Sequence, residues 1–324
     1  MKPFIKPTLL LSKCLHHIPC RYDGTAQSSP IVDALETHVN WVEVCPEVGM
    51  GLGIPRQSLR IITPDQQKLC LVMRGSNHDY TDKMNTYSQQ IITDLKANEL
   101  HGAILKSRSP SCGLKDVKYY KSMEKGGCTL SKNNNGLFTD ALMDAFPSLP
   151  MENEGRLTNY NIRSRFFTHI FALARLNHIQ EKGHLKDLIA FHSEYKYLLM
   201  AYSPGYLRQM GKIVANHTKD NLNRMIGQYR FLLHKALSMN PKPMRRVNML
   251  LHLFGYFSKE LSNKEKAYFL DVLEEYQQKK VPFSVPLSII HAWVVRFENP
   301  YLMHQIIFEP FPNDLLNTAD SGKD

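Results

Sequence analysis

The sequence predicts two domains in series: an α/β domain with a parallel sheet over residues 1–155, and an all-α domain over residues 156–324. Three observations carry that expectation. Short apolar runs alternate with helical periodicity in the first half. Long segments of helical spacing without strand pattern fill the second. Charge and cysteine divide in opposite ways: residues 156–324 hold 23 Lys and Arg against 14 Asp and Glu, residues 1–155 hold 17 against 16, and all six cysteines lie in the first 128 residues.

The first half can be justified element by element. "KPTLLLSKC" is a buried strand ending near Cys14, "IVDALETH" a short helix, and "NWVEVC" a second strand ending at Cys45. "LRIITPDQQKLCLVMRG" gives two strands joined by a polar turn, with Cys70 between two leucines in sheet packing. Met84, Tyr87, Ile91 and Leu95 recur at helical spacing behind Thr81, a capable cap. "HGAILK" is another strand, followed by the turn "SRSPSCG". Strands alternating with helices make an open, Rossmann-like sheet.

In the second half, Leu185, Leu188, Ile189, His192, Tyr195, Lys196 and Leu199 trace one continuous helical face. "NLNRMIGQYRFLLHKAL" and "NKEKAYFLDVLEEYQQKK" follow, capped by Asp220 or Asn221 and by Ser262. Pro204-Gly205, Pro241 with Pro243, and Pro282 with Pro286 separate the helices.

With 43% apolar and 22% charged residues, the composition is globular. No apolar run reaches the roughly 20 residues of a membrane span. The basic start "MKPFIKPTLLLSKC" lacks the long apolar core of a signal peptide and fits a first strand, so a cytoplasmic location is expected. No G-x-G-x-x-G occurs, and no nucleotide cofactor is expected. The basic second half suits a polyanion. Candidate contacts are Arg156, Arg163 and Arg165, then Lys242, Arg245 and Arg246, then Lys279 and Lys280. His184, His192, His217 and His234 lack a His-x-x-x-His partnered by a carboxylate and are taken as core or surface residues.

Cys14, Cys45 and Cys112 each follow a predicted strand. Carboxyl ends of parallel strands line one edge of a sheet, and sites form in the crevice there. Three distant thiols can therefore converge. A reducing compartment favours metal or catalytic use over disulfides. Structural zinc takes four N or S ligands, often in short paired spacings, and no C-x-x-C occurs. An iron–sulfur cluster normally takes four thiolates, and with three it keeps one iron open to substrate. Ordinary buried cysteines remain a third reading. Glu47 lies two residues beyond Cys45 in a glycine-rich loop, where a carboxyl can move protons. Ser109, three residues before Cys112, can orient a ligand or bond its own turn.

Four segments, "SKCLHHIPCRYDG", "VCPEVGMGLGIPR", "ILKSRSPSCG" and "FPSLPMENEGRL", resemble the thiouracil desulfidase family over residues 7–157. "LIAFHSEYKYLLMAYSP", "LLHLFGYFSKELSNKEK" and "VPFSVPLSIIHAW" resemble the YbgA-type helical domain, and the fusion resembles bacterial tRNA 4-thiouridine desulfidases. The resemblance implies a [4Fe–4S] cluster on Cys14, Cys45 and Cys112, catalytic roles for Glu47 and Ser109, and tRNA as partner of the helical half. Cys20 is not expected to be a ligand. The first motif departs from the family's Cys-Leu-Leu-Gly, reading Cys14-Leu15-His16-His17, and an extra Cys128 occurs in an unusual segment.

The expected function is hydrolytic removal of sulfur from 4-thiouridine in tRNA, giving uridine and sulfide. A thiocarbonyl sulfur is soft and favours iron, Lewis-acid withdrawal opens its carbon to water, and Glu47 and Ser109 handle the proton and orientation. One alternative is desulfidation of free thiouracil or a related thio-base. Another is a non-catalytic RNA-binding protein with a structural zinc. Sulfur insertion, the reverse chemistry, lacks an ATP-binding loop.

Overall fold

The computed structural model describes residues 4–63, 68–123, 129–216 and 222–316. Cys128, His217, Asp220 and Asn221 lie outside the described residues. The chain forms two compact units, residues 1–174 with 314–324, and residues 175–313.

The first unit holds two sheets. In one, β1 (Thr8–Ser12), β2 (Asn40–Val44), β5 (Gly102–Leu105) and β8 (Met151–Asn153) run in the order β2-β1-β5-β8, with every pair parallel. Leu9, Leu10, Leu11, Ala103, Ile104 and Leu105 are buried, as strands covered on both faces must be. The order reverses at β1, whose next strand lies on one side and β5 on the other. That is a topological switch point, where the carboxyl ends of β1 and β5 part to leave a crevice.

The strands of residues 59–75 depart from the expectation of one sheet. β3 (Leu59–Ile62) and β4 (Cys70–Met73) join β6 (Val117–Tyr120) and β7 (Thr129–Asn134) in a second, mixed sheet of order β4-β3-β6-β7. Their apolar alternation fixes strand character but not the partner, and β3 and β4 pair antiparallel with each other.

Helices α1 (Pro30–Leu35), α2 (Pro46–Gly49), α3 (Thr81–Lys96) and α4 (Leu137–Ala145) connect these strands. Thr81 is the first residue of α3 rather than its cap, and its hydroxyl oxygen accepts the Leu71 amide at 2.8 Å. The first part of α5 (Tyr160–Lys182) lays Phe166 and Ile170 so near Gly102 that a Cβ there would meet Ile170 at 2.8 Å.

The second unit is helical throughout its described residues: α6 (Leu185–Glu194), α7 (Lys196–Tyr202), α8 (Pro204–Ala215), α9 (Leu222–Leu237), α10 (Pro243–Phe254), α11 (Asn263–Gln277) and α12 (Ser284–Arg296), besides the end of α5. The single face predicted over 185–199 is broken at Tyr195, which ends α6 and precedes α7. Leu188, Phe191 and Leu199 are buried, but Ile189 is exposed. Prolines begin helices here. Pro204 opens α8 behind the Ser203 cap, and Pro243 opens α10. Ser262 caps α11 as expected, in a reciprocal box with Glu265. Phe254, Phe269 and Trp293 pack ring against ring in this unit's core. No helix among the described residues is long and apolar enough to cross a membrane.

Candidate functional site

Each proposed thiol leaves a strand of the parallel sheet. Cys14 sits in a short 3₁₀ turn directly after β1. Cys45 follows β2 and caps α2. Cys112 lies seven residues past β5, in a turn with its own supports. The Ser109 hydroxyl oxygen accepts the amides of Ser111 at 3.2 Å and Cys112 at 3.1 Å. The Gly113 amide donates to the Ser109 carbonyl at 2.8 Å. Amides of Leu137 and Thr139 at the start of α4 donate to the carbonyls of Pro110 and Ser111. Ser107 and Lys106 close the approach to this turn on the Glu154 carboxylate.

Packing leaves this turn little room. A Cβ on Gly136 would fall 2.3 Å from the Ser111 carbonyl oxygen and 2.8 Å from that of Pro110. Both obstacles are backbone. Gly136→Ala is therefore expected to cost about 1–3 kcal/mol of stability, seen as a lowered denaturant midpoint with an unchanged slope.

The thiols meet. Cys20, eight residues from the end of β1, is buried, and its thiol lies near enough to those of Cys14 and Cys45 to influence, and be influenced by, their acidity. The Cys45 Sγ also lies 3.9 Å from the Cys20 carbonyl oxygen, its acceptor. Cys112 lies near the Ser12 side chain and near Cys45, Glu47 and Cys20. These contacts govern the thiols' acidity. The neighbouring Cys14 pushes the Cys20 thiol up to about 11. The neighbouring Cys20, then burial, pushes Cys45 far above the ordinary thiol range. Burial does the same for Cys112. Such thiols are protonated at neutral pH unless a cation takes the proton's place.

Among the described residues, no three His, Cys, Asp or Glu side chains gather closely enough to hold a single metal ion. The donor chemistry nevertheless fits a cluster. Cys14, Cys20 and Cys112 are buried and Cys45 is half-buried, soft sulfur donors at the strand ends of one sheet, and a multi-iron cluster spreads its thiolates over separate irons instead of closing them on one. Cys70 lies on β4 in the other sheet, where its side chain bonds Asp79.

Glu47 lies beside the thiols and is held on both oxygens. Arg56 donates to Oε2 from Nε at 2.9 Å and from Nη2 at 2.6 Å, and the Ser111 hydroxyl donates to Oε1 at 2.9 Å. The pair is buried, with the Arg56 side chain 5% exposed and that of Glu47 13%. Arg56 Nη2 also reaches the Cys20 carbonyl at 3.1 Å, tying the first two motifs together. Ser109, chosen from the sequence, bonds its own turn; Ser111, two residues on, is the serine that touches Glu47. The only sequence signal for Ser111 is its place beside Cys112, and for Arg56 its place at the end of the glycine-rich loop.

Tyr87, on α3 where its helical spacing puts it, is a neighbour of the site. Its ring packs on Gly49 so closely that a Cβ there would lie 2.2 Å from Cζ. Burial, then the Cys45 and Cys112 charges, raise its hydroxyl above the ordinary tyrosine range. The departure at His16-His17 is accommodated. His17 takes φ 56°, the left-handed region that favours glycine, and Asp33 holds its ring at 2.8 Å. His16 is clasped between Glu36 and Glu43.

The predicted polyanion contacts divide sharply. Arg163 is buried and donates to the carbonyls of Leu157 and Thr158. Arg156 pairs with Glu152, Arg165 bonds the Asn161 carbonyl, and Arg245 bonds that of Tyr202. Arg246 lies over the Phe283 ring. Lys242, Lys279 and Lys280 are exposed.

Residues 9–154 match the family model of 2-thiouracil desulfurase, and residues 196–312 match a domain family of unknown function (DUF1722). The chain is 30% identical to the uncharacterized protein YbgA of Escherichia coli (strain K12), over 47% of this chain and 91% of that protein. It is 29% identical to the uncharacterized protein YbbK of Bacillus subtilis (strain 168), over 32% of this chain and 72% of that one. Among solved structures, the [4Fe-4S]-dependent thiouracil desulfidase TudS aligns at 28% identity and a TM-score of 0.39, covering 47% of this chain and 93% of TudS.

Proposed function

The chain belongs to the family that joins a 2-thiouracil desulfurase domain to a YbgA-like domain, and from that premise we propose a cytoplasmic iron–sulfur desulfidase acting on 4-thiouridine in tRNA. The observation that carries the desulfidase reading is the meeting of strand-end thiols beside a buried carboxylate. Cys14, Cys45 and Cys112 hold a [4Fe–4S] cluster. When bound, the cluster supplies a soft Lewis acid for a thiocarbonyl sulfur. The overall change exchanges C=S and water for C=O and hydrogen sulfide.

The chain's own residues handle the proton. Glu47 accepts it from the attacking water, directly or through Ser111, whose hydroxyl already donates to Oε1. Arg56 fixes the carboxylate's orientation from the opposite oxygen. Ser109 acts by holding the amides of Ser111 and Cys112, so that hydroxyl and thiol stay in register with Glu47.

The tRNA assignment rests on charge. Residues 175–313 hold 19 Lys and Arg against 11 Asp and Glu, and exposed lysines such as Lys242, Lys279 and Lys280 suit phosphate contacts. Protein prepared without oxygen is expected to carry iron and labile sulfide, and to release sulfide from thiolated tRNA. Raising salt from ~50 to ~200 mM should weaken tRNA binding on the order of 10²-fold, as about four phosphate contacts would, and leave turnover of free thiouracil nearly constant. Activity on thiouracil with none on tRNA at any salt would favour the free-base reading. A zinc-loaded protein without iron or sulfide release would reject the desulfidase.

A further inference from the structure

The positive charge of the helical unit is concentrated in three helices. α8, α9 and α10 hold seven Lys and Arg and no Asp or Glu, whereas α11 holds two against four. α8 and α9 pack on each other. Between them opens a largely apolar cleft of about 450 Å³, lined by Ile213, Gly227, Gln228, Phe231 and Leu232, a size within the range of ligand clefts. Phe231 is 53% exposed, and Lys235 Nζ lies over its ring, 5.0 Å from the centroid. Arg208, Lys212 and Arg224 are exposed too. The described ion pairs of this unit join other residues. Gly227 stands inside α9, where glycine is a poor helix former, yet a Cβ there would meet nothing within 4 Å. Gly211 on α8 differs, since a Cβ there would meet His192 Nε2 at 3.3 Å. Packing among the described residues does not call for Gly227. Its effect is to keep the cleft open.

We propose that the cleft between α8 and α9 takes an unpaired nucleotide of tRNA, its base stacked on Phe231 and the phosphates around it on Arg208, Lys212, Arg224 and Lys235, a placement that rests on the tRNA reading above. Arg224, Gln228, Phe231 and Lys235 follow one another at spacings of three and four, so cations and ring share one stripe of α9. An aromatic ring set among cations is what a single strand of RNA needs, because every base has a face to stack and every linkage a charge to neutralise. Stacking tolerates any base. The cleft therefore reads an unstacked nucleotide by its shape and leaves sequence unread. A side chain at Gly227 would take the room that a base plane needs. A second copy of the chain docked on the same face would bring like charges together.

The test measures binding of fluorescein-labelled thiolated tRNA to the full chain by anisotropy, from ~50 to ~200 mM salt, with the thermal midpoint of each variant as a check on folding. Phe231→Ala is expected to weaken binding on the order of tenfold, as loss of one base stack does, with the salt slope unchanged. Phe231→Trp should restore the wild-type affinity, its added emission quenched by tRNA, whereas Phe231→Leu should not restore it. Arg224→Gln and Lys235→Gln should each lower the salt slope by about one. Gly227→Leu fills the cleft from an exposed position, and should weaken binding as Phe231→Ala does without lowering the thermal midpoint. Equal affinity in wild type and Phe231→Ala overturns the cleft and leaves the tRNA reading standing. Wild type without affinity for tRNA at low salt overturns both. A change in self-association, or in retention on phosphatidylglycerol vesicles, on Phe231→Ala with tRNA affinity unmoved gives the cleft to another occupant and overturns the proposal.

Discussion

Cys112→Ala is expected to give a folded protein that retains no iron and releases no sulfide. The expectation rests on a separation between what shapes the turn and what its thiol does. The turn is held by the Ser109 hydroxyl, by amides of α4, and by close backbone contact at Gly136. None of these uses the Cys112 sulfur. Removing one buried sulfur costs about 1 kcal/mol in packing, too little to unfold a domain of ordinary stability. Loss of a cluster ligand acts differently, because a thiolate donor has no substitute in alanine. Iron and labile sulfide per chain are measured after anaerobic preparation, alongside far-ultraviolet circular dichroism and the thermal midpoint. Cys70→Ala is the matched control. That thiol lies in the mixed sheet, and its loss should leave the iron content at the wild-type level. A Cys112→Ala protein with full iron would remove Cys112 from the ligand set.

Why was this much readable in the sequence? Strand ends were legible because apolar runs such as "TLLLS" and "GAIL" stop abruptly at polar or turn residues, and buried parallel strands need unbroken apolar runs. Parallel pairing then places Cys14 and Cys45 on one edge without further information. What stayed hidden depends on contacts distant in sequence. β3 and β4 have the same local pattern whichever sheet they join. Tyr87 reaches the site only because α3 packs on the end of α2 at Gly49. Arg56 carries no local signal beyond its place at the end of the glycine-rich segment, and it is buried on Glu47. Arg163, a supposed RNA contact, is spent inside its own unit on backbone carbonyls. Charge summed over a domain survives such reassignment, whereas a role given to a single arginine does not.

Glu47→Gln is expected to leave iron content near the wild-type level while kcat falls by roughly 10²–10⁴-fold, the range of a lost general base. The rival account is structural. Glu47 and Arg56 form a buried ion pair, and removing one partner of such a pair costs about 3–5 kcal/mol where nothing else holds the other charge. Here Arg56 keeps the carbonyls of Gly53 and Cys20, and a glutamine oxygen can still accept from it, so the stability loss should fall below that range. The two accounts part on what is measured per iron-loaded molecule. An anchor alone predicts fewer loaded molecules with normal kcat. A base predicts the normal number of loaded molecules with kcat lost and KM little changed, since the missing step follows binding. Ser111→Ala sharpens the comparison. It removes the hydroxyl on Oε1 but keeps the carboxylate and its arginine, and should lower kcat by a smaller factor, on the order of tenfold if that hydroxyl only orients the base. A Glu47→Gln enzyme with unimpaired kcat per cluster would move the proton transfer elsewhere, and Tyr87, whose hydroxyl feels the charges of Cys45 and Cys112, would be the next residue to replace.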